Sequence, residues 1–179
     1  MKKNTMLYSA LSAIIGAILL IITTFIPFAS AKDEYKESLM NYPDSIYSEE
    51  ADMTNKDAVS ISLVEFVKID SAAVEMEVSE ETAIANMVVI IAFCVFAVLT
   101  LLFSILRKPI AILIFDIISF LAMQLIKYDF EDRGIIPSNS YDWGVAPVIC
   151  YISIVIIAVS AVLLLIAKNK NKEAAAISE

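Results

Sequence analysis

The sequence has no histidine and only three glycines among its 179 residues, and these shortages exclude several kinds of active site. A chain without histidine cannot form a His-based catalytic triad, a histidine zinc site or an H-E-x-x-H metalloprotease centre. It contains no P-loop and no G-x-G-x-x-G motif, so nucleotide binding has no support. Its acidic residues do not follow the D-x-[DN]-x-[DN]-G spacing of a calcium loop. We therefore expect a protein that is not an enzyme and that holds no cofactor and no metal.

Cysteine and positive charge are also scarce. The two cysteines, Cys94 and Cys150, lie inside long apolar runs, where we expect them to act as small buried apolar residues. The 13 lysines and arginines are outnumbered by 21 acidic residues, which gives a net charge of −8. Most of the basic residues flank the apolar runs. Nucleic acid is therefore not an expected partner.

Long apolar runs are what the sequence has in abundance. Hydrophobic residues make up 59% of the chain, against roughly 45–50% in water-soluble domains. Residues 4–31, 82–106 and 143–167 carry no charge, and residues 109–126 carry one, Asp116. A run of roughly 18 or more apolar residues is long enough to cross a bilayer as a helix. The sequence therefore predicts an all-α integral membrane protein, a bundle of four transmembrane helices over residues 6–28, 80–106, 110–127 and 143–167.

The positions of the basic residues predict the orientation of the helices in the membrane. They precede the first helix, fill the turn between the second and third, and follow the fourth: Lys2, Lys3, Arg107, Lys108, Lys168, Lys170 and Lys172. An excess of Lys and Arg marks the cytoplasmic side. We therefore predict that residues 1–5, 107–109 and 168–179 are cytoplasmic, with both termini inside, and that loops 29–79 and 128–142 are extracytoplasmic. The first loop is strongly acidic, because residues 32–81 hold fourteen acids and four lysines.

The end of the first apolar run raises the question of a signal peptide. Ala29-Ser30-Ala31 has the A-x-A form of a cleavage site. The preceding apolar stretch is longer than the roughly 7–15 residues of a signal-peptide core, which favours an uncleaved helix. The usage of Ile, Lys and Asn suggests a bacterial plasma membrane, with the lipid bilayer as one partner.

The second part of the first loop carries two competing patterns over residues 59–78. Residues 59–63 alternate between apolar residues and serines, which indicates a strand in a hairpin that turns near Asp70. Residues 63–67 instead fit the apolar face of a short amphipathic helix on the membrane surface. Both alternatives stay open at this point.

Residue types at the ends of the apolar runs predict where helices begin. Ser79 and Asp142 are suitable N-caps for the second and fourth helices, because their side chains can accept hydrogen bonds from free backbone N–H groups. Pro109 suits the first turn of the third helix, where no N–H is needed.

Asp116 is the ionisable residue inside a predicted span, about 10 Å from the cytoplasmic end at 1.5 Å per residue. Such residues are expensive in a membrane and raise a functional hypothesis. On one interpretation Asp116 is a proton or cation site, or a charged partner for another subunit. On the other, which we favour, its carboxylate is satisfied by neighbouring groups of the bundle. The neighbours within reach are Thr100, Ser104, Arg107 and Lys108.

Two further features of the spans indicate helix packing. Gln124, a second intramembrane polar candidate, is expected to form interhelical hydrogen bonds. The first helix carries small residues at spacings of three and four, which let helix backbones approach closely. They are Ser9, Ser12, Ala13, Gly16 and Ala17. We expect this stripe to pack on another helix of the bundle, with a homodimer surface as the alternative.

A short inner turn, a larger first outer loop and a smaller second one together resemble the tetraspan plan of claudin-type proteins. The resemblance is one of topology alone, because residues 32–81 contain neither the Trp nor the Cys residues of the claudin first-loop signature. It implies no site residue in this chain.

These observations favour a non-enzymatic membrane protein, an accessory or scaffold subunit that contacts a partner protein or another copy of itself. The alternative is a small oligomeric transporter or channel that uses Asp116. The first expectation depends on the absence of catalytic motifs, and the second on one intramembrane carboxylate.

Overall fold

The computed structural model describes residues 2–78 and 80–176, and helices account for 72% of the residues. In chain order the elements are α1 (Lys2–Ile22), β1 (Ala29–Ala31), α2 (Asp33–Met40), β2 (Ile46–Ser48), β3 (Met53–Thr54), α3 (Asn55–Ala58), β4 (Ser60–Ile61), α4 (Leu63–Glu75), α5 (Glu80–Ile105), α6 (Pro109–Asp132), β5 (Tyr141–Trp143) and α7 (Ala146–Ala176). Four of them, α1, α5, α6 and α7, are long and apolar enough to span a membrane. The prediction of four helices long and apolar enough to span a membrane is confirmed. The predicted all-α fold is mostly helical in the structure, and it also contains short strands.

The helix ends differ from the predicted bounds where the chain joins a sheet. Helix α1 ends at Ile22 and not at Phe28, because the Phe28 N–H donates to the Ile61 carbonyl (2.8 Å) and the chain continues into β1. Helix α7 begins at Ala146, since the residues before it form β5. Asp142 is therefore no N-cap: it lies in β5, and its carboxylate accepts from the Trp143 N–H (2.9 Å). The predicted cap Ser79 lies outside the described residues.

The chain divides into two compact units, which we call the helix unit and the loop unit. The helix unit consists of Met1–Ile21, Phe93–Leu121 and Ile149–Glu179. It is built from parts of the four long helices, with a buried interior that includes Phe93, Ile112 and Ile157. Parallel rings of Phe103 and Phe115, 5.2 Å between centroids, pack α5 on α6.

The loop unit consists of Ile22–Ala92 and Ala122–Val148 and contains all five strands. Strand β1 is the centre of a three-stranded antiparallel sheet in the order β4-β1-β5. Its residue Ala29 faces Ile61 on one side and Trp143 on the other. The two loops that the sequence predicts as separate segments therefore share one sheet. A second, two-stranded sheet pairs β2 with β3.

Capping boxes start the short helices of the loop unit. Before α3 the Thr54 hydroxyl accepts from the Asp57 N–H, and the Asp57 carboxylate accepts from the Thr54 N–H (2.9 Å). Ser62 and Glu65 make the same reciprocal pair before α4 (2.6 Å and 3.3 Å). These pairs satisfy backbone donors that a helix start leaves free. Of the two alternatives for residues 59–78, the structure has a helix over most of the segment, with Asp70 inside it.

An aromatic cluster fills the core of the loop unit. The Phe28 ring meets Phe130 edge-on at 5.7 Å and Trp143 at 5.6 Å, and the rings of Phe66 and Phe130 lie 4.5 Å apart. Edge-on aromatic pairs add to the stabilisation that comes from burying their area. The cluster joins residues from both loops to the C-terminal end of α6, so the sheet and this helix end share one core.

Candidate functional site

Asp116 lies in α6 within the helix unit and is 2% exposed. Its Oδ1 has no hydrogen-bond partner among the described residues. Within the described residues, neither Arg107 nor Lys108 forms an ion pair with the Asp116 carboxylate. The predicted satisfaction of this carboxylate by neighbouring groups is therefore not present. Gln124 is half-buried further along the same helix, in the loop unit.

The hydroxyls predicted as partners of Asp116 donate elsewhere. Thr100 donates to the Phe96 carbonyl (2.9 Å) and Ser104 to the Thr100 carbonyl (2.7 Å). Ser119 makes the same bond to a carbonyl four residues earlier in α6 (2.8 Å). A hydroxyl that bonds back to its own helix is satisfied without an interhelical partner. The helix unit therefore buries several polar groups whose donors are already in use.

The small-residue stripe of α1 is divided by the structure. Ser9, Ala13, Gly16 and Ala17 are buried, whereas Ser12 is exposed. A Cβ on Gly16 would lie 2.8 Å from Ile157 Cγ1 and 3.3 Å from the Ser153 carbonyl oxygen. α1 and α7 therefore approach closely at Gly16, in the way that small residues allow.

A buried polar cluster in the loop unit has no counterpart in the sequence prediction. Asp70 of α4 is 7% exposed, and its Oδ2 accepts a hydrogen bond from the Asn86 side-chain amide of α5, itself 4% exposed. Near it, the Arg133 guanidinium pairs with Asp129 at the end of α6. Within the described chain, Asn86 Oδ1 and Arg133 Nε are buried without a partner. Unsatisfied buried polar atoms are rare in folded proteins and mark sites to examine for a ligand or water.

Burial is the main influence on the pKa of Asp70. It raises the pKa of that carboxyl from its ordinary 3.8 to about 6, against the opposing effects of the Asn86 hydrogen bond and the Arg133 charge. The Asp129 charge acts in the same direction as burial. Asp70 forms no ion pair among the residues that the structure describes. When it ionises, it is therefore a buried charge with no cation of its own in contact.

An open cleft of about 300 Å³ lies over this cluster. Aromatic rings and branched apolar side chains form its walls, and Asp70 and Arg133 are its charged residues. The walls are Tyr47, Ile61, Phe66, Ile69, Ala73, Ile135 and Tyr141. A concave apolar site with a few polar groups and a perturbed carboxyl is the usual form of a binding site. This cleft is the strongest candidate site outside the spanning helices.

Three tyrosines line or border the cleft. The rings of Tyr35 and Tyr141 meet edge-on at 5.5 Å, and the Tyr141 hydroxyl donates to the Ala58 carbonyl (2.8 Å). Burial, followed by hydrogen bonding and charge interaction with Tyr47, raises the pKa of Tyr141. Tyr141 is therefore a neutral hydrogen-bond donor that ties the second loop to the first.

The sequence held weak signals for this site. The S-x-x-E pattern at Ser62 is a capping box and marks the start of α4. Counting from Leu63, Asp70 falls seven residues on, on the same helix face as Leu63 and Phe66, which are buried. The pairing of Asp129 with Arg133 follows the i,i+4 rule. No sequence pattern indicates that α4 meets α5 at Asn86.

The remaining candidates for chemistry are few. No group of three or more His, Cys, Asp or Glu residues in the described chain could hold a metal ion. Cys94 is half-buried and Cys150 buried, both as free thiols. The site is therefore defined by the cleft and its buried polar cluster.

Comparisons of the chain with protein-family models, with curated proteins and with solved structures find no match.

Proposed function

We propose that the protein is a non-enzymatic accessory or scaffold subunit of a bacterial plasma membrane, which acts through protein contacts of its loop unit. Both termini are placed in the cytoplasm, because Lys and Arg flank that side of the spans. The sheets and short helices of the loop unit then lie outside. In this orientation the acid-rich segment 32–81 also lies on the outer side.

The observation that carries this proposal is the order of the loop unit. Its sheet joins the first and second loops, and its core contains Phe28, Phe66 and Trp143. Ordering a residue costs roughly 1–2 kcal/mol of backbone entropy. In a folded loop this cost must be offset by packing. A fixed surface on a membrane anchor is what a docking subunit requires.

The loop unit also exposes apolar side chains suited to a partner. Tyr42 and Ile46 are 72% and 71% exposed, outside the spanning segments. Interface cores are enriched in aromatic residues, and charge complementarity steers association. Because the surrounding segment is acidic, the fitting partner presents basic residues around an apolar patch. A Lys or Arg side chain of that partner fits the cleft at Asp70.

The position of β1 supports retention of the first span. Ala29-Ser30-Ala31, the motif that resembles a cleavage site, is the central strand of the sheet. Cleavage after Ala31 would remove β1 from between β4 and β5. We therefore propose that α1 stays part of the working protein, and intact mass measurement of the purified chain checks this.

Crosslinking in cells followed by purification in mild detergent tests the docking role. A stoichiometric partner or homo-oligomer is expected, and the double variant Tyr42→Ala, Ile46→Lys should lose it. Tyr128→Ala, which alters another exposed tyrosine (68%), is the matched control and should keep the complex. A protein that stays monomeric and uncrosslinked would refute the proposal, as would loss of the complex in the control alone.

A second function, a small oligomeric transporter or channel, has one observation in its favour. Asp116 is buried in a predicted span, and its Oδ1 has no hydrogen-bond partner within the described part of the chain. Intramembrane carboxyls often mark ion or proton pathways. Flux into proteoliposomes that is abolished by Asp116→Asn would support this function. Absence of flux, or flux indifferent to the substitution, would remove it.

A further inference from the structure

An open groove of about 460 Å³ lies in the helix unit, beside the turn that joins α5 to α6. Its apolar walls come from three helices and include Phe103, Ile110, Ile114 and Leu165. Its polar lining residues are Lys108, Lys168 and Asn169. The groove therefore combines an apolar surface with positive charge.

Among the described residues, no acidic side chain pairs with either lysine of the groove. Lys108 is exposed and Lys168 half-buried, and the Lys168 Nζ lies 3.5 Å from the Arg107 carbonyl oxygen. Neither ammonium pairs with a carboxylate in the portion of the chain that the structure describes. Both charges are therefore available to an anion.

Arg107, next to the lining residue Lys108 in the chain, is a third cation and has a strained backbone. Its φ is +52°, a left-handed conformation that favours glycine. The Lys108 N–H donates to the Phe103 carbonyl (3.0 Å) and the Arg107 N–H to the Ser104 carbonyl (3.1 Å). This is the Schellman helix end, in which glycine usually occupies the position of Arg107. An arginine where glycine would relieve strain is consistent with a use for its charge.

The start of α6 contributes a favourable dipole to the same groove. The first residues of this 24-residue helix, Pro109 to Ala111, line it. The first turn of a helix leaves N–H groups without intrahelical partners and carries partial positive charge. Ile110 and Ala111 carry N–H groups of this turn and line the groove with Lys108, so the helix start adds to the attraction for an anion.

We propose that this groove binds an anionic phospholipid. The headgroup phosphate contacts Arg107, Lys108, Lys168 and the first turn of α6, and an acyl chain lies along Phe103, Ile110 and Leu165. Basic pockets between spanning helices recognise anionic headgroups in this way. The acyl chain accounts for the apolar walls, which a free phosphate would not use. The proposal needs only that the long helices lie in a bilayer and is independent of any docking partner.

Native mass spectrometry of the full-length protein in mild detergent tests the proposal. The probes are phosphatidylglycerol and phosphatidylcholine with identical acyl chains, and inorganic phosphate. Wild type should bind its first phosphatidylglycerol molecule at least about tenfold more tightly than its first phosphatidylcholine molecule. In the double variant Lys108→Gln, Lys168→Gln the affinity for phosphatidylglycerol should fall about thirtyfold, which is about 2 kcal/mol at about 1.4 kcal/mol per tenfold.

Two further variants separate specific loss from unfolding or loss of net charge. Lys36→Gln with Lys56→Gln removes the same charge from exposed residues of the loop unit and should bind as wild type. Arg107→Gly removes a cation while relieving backbone strain, so it should keep its thermal stability and lose affinity severalfold.

Three results would overturn the lipid site. One is equal affinity of wild type for the two phospholipids. Another is equal loss in the Lys36, Lys56 control and in the groove variant, or wild-type affinity in Arg107→Gly. The third is displacement of phosphatidylglycerol by an equimolar amount of inorganic phosphate, which would show an anion site that does not use the acyl chain.

Discussion

Ionisation of Asp70 should destabilise the loop unit. Its pKa is raised from 3.8 to about 6 by burial. A carboxyl with a raised folded-state pKa contributes stability that is fully present below its unfolded pKa and is lost as pH rises through the folded pKa. At about 1.36 kcal/mol per pH unit, the loss between about pH 4 and about pH 7.5 is up to about 3 kcal/mol. The facing charges, Arg133 and Asp129, act in opposite directions and are included in that value.

The substitution Asp70→Asn isolates this effect from other titrating groups. The Asn side chain stays neutral, and its carbonyl oxygen can still accept from the Asn86 amide. The variant should therefore exceed wild type by about 3 kcal/mol near pH 7.5 and by little near pH 4. Urea unfolding in mild detergent is the assay. Fluorescence of Trp143, the one tryptophan in the sequence, reports it because the indole packs on Phe28 in the loop-unit core.

A variant that is less stable than wild type near pH 7.5 would refute the reasoning. It would mean that ionised Asp70 is stabilised by Arg133 more than it is penalised by burial. A difference that does not change with pH would also refute it, because the substitution would then act through packing alone.

Two glycines provide further stability predictions. Gly16→Val should cost about 1–3 kcal/mol by overpacking against Ile157, whereas Ser12→Val on the exposed face of α1 should be near neutral; thermal unfolding in detergent compares them. Gly144→Ala should cost at least as much, because its Cβ would lie 2.2 Å from the Pro27 carbonyl oxygen and backbone cannot move aside cheaply. The readout for Gly144→Ala is urea unfolding, and wild-type stability would contradict the close approach.

The sequence predicts the spanning helices because their signal is local and long. A long apolar run with at most one charge is sufficient to identify each span, and Pro109 correctly marks the start of α6. The sheet has no such signal: its strands are two or three residues long, and β1 pairs with β5 across more than a hundred residues. Strands this short give little alternation to detect. The exception is β4, which lies within residues 59–63, where the alternation indicated a strand.

The candidate site could not be predicted from the sequence either, because it also lacks a long local signal. Asp70 and Arg133 both line the cleft, and Asn86 of α5 donates a hydrogen bond to Asp70 of α4. These contacts depend on the complete fold. Asp116 shows the opposite case. Its presence in a span was evident, but the partners expected for it are engaged with their own helix. Burial of a residue can be anticipated from a sequence more readily than the identity of its neighbours.

The placement of the loop unit outside the cell is tested most directly by cysteine labelling. In a background with Cys94 and Cys150 replaced by alanine, single cysteines replace exposed Asp44 or exposed Asn171. A membrane-impermeant maleimide should label Asp44→Cys in intact cells, and Asn171→Cys only after the membrane is permeabilised. Labelling of Asn171→Cys in intact cells, with Asp44→Cys protected, would contradict the proposed orientation and the docking role with it.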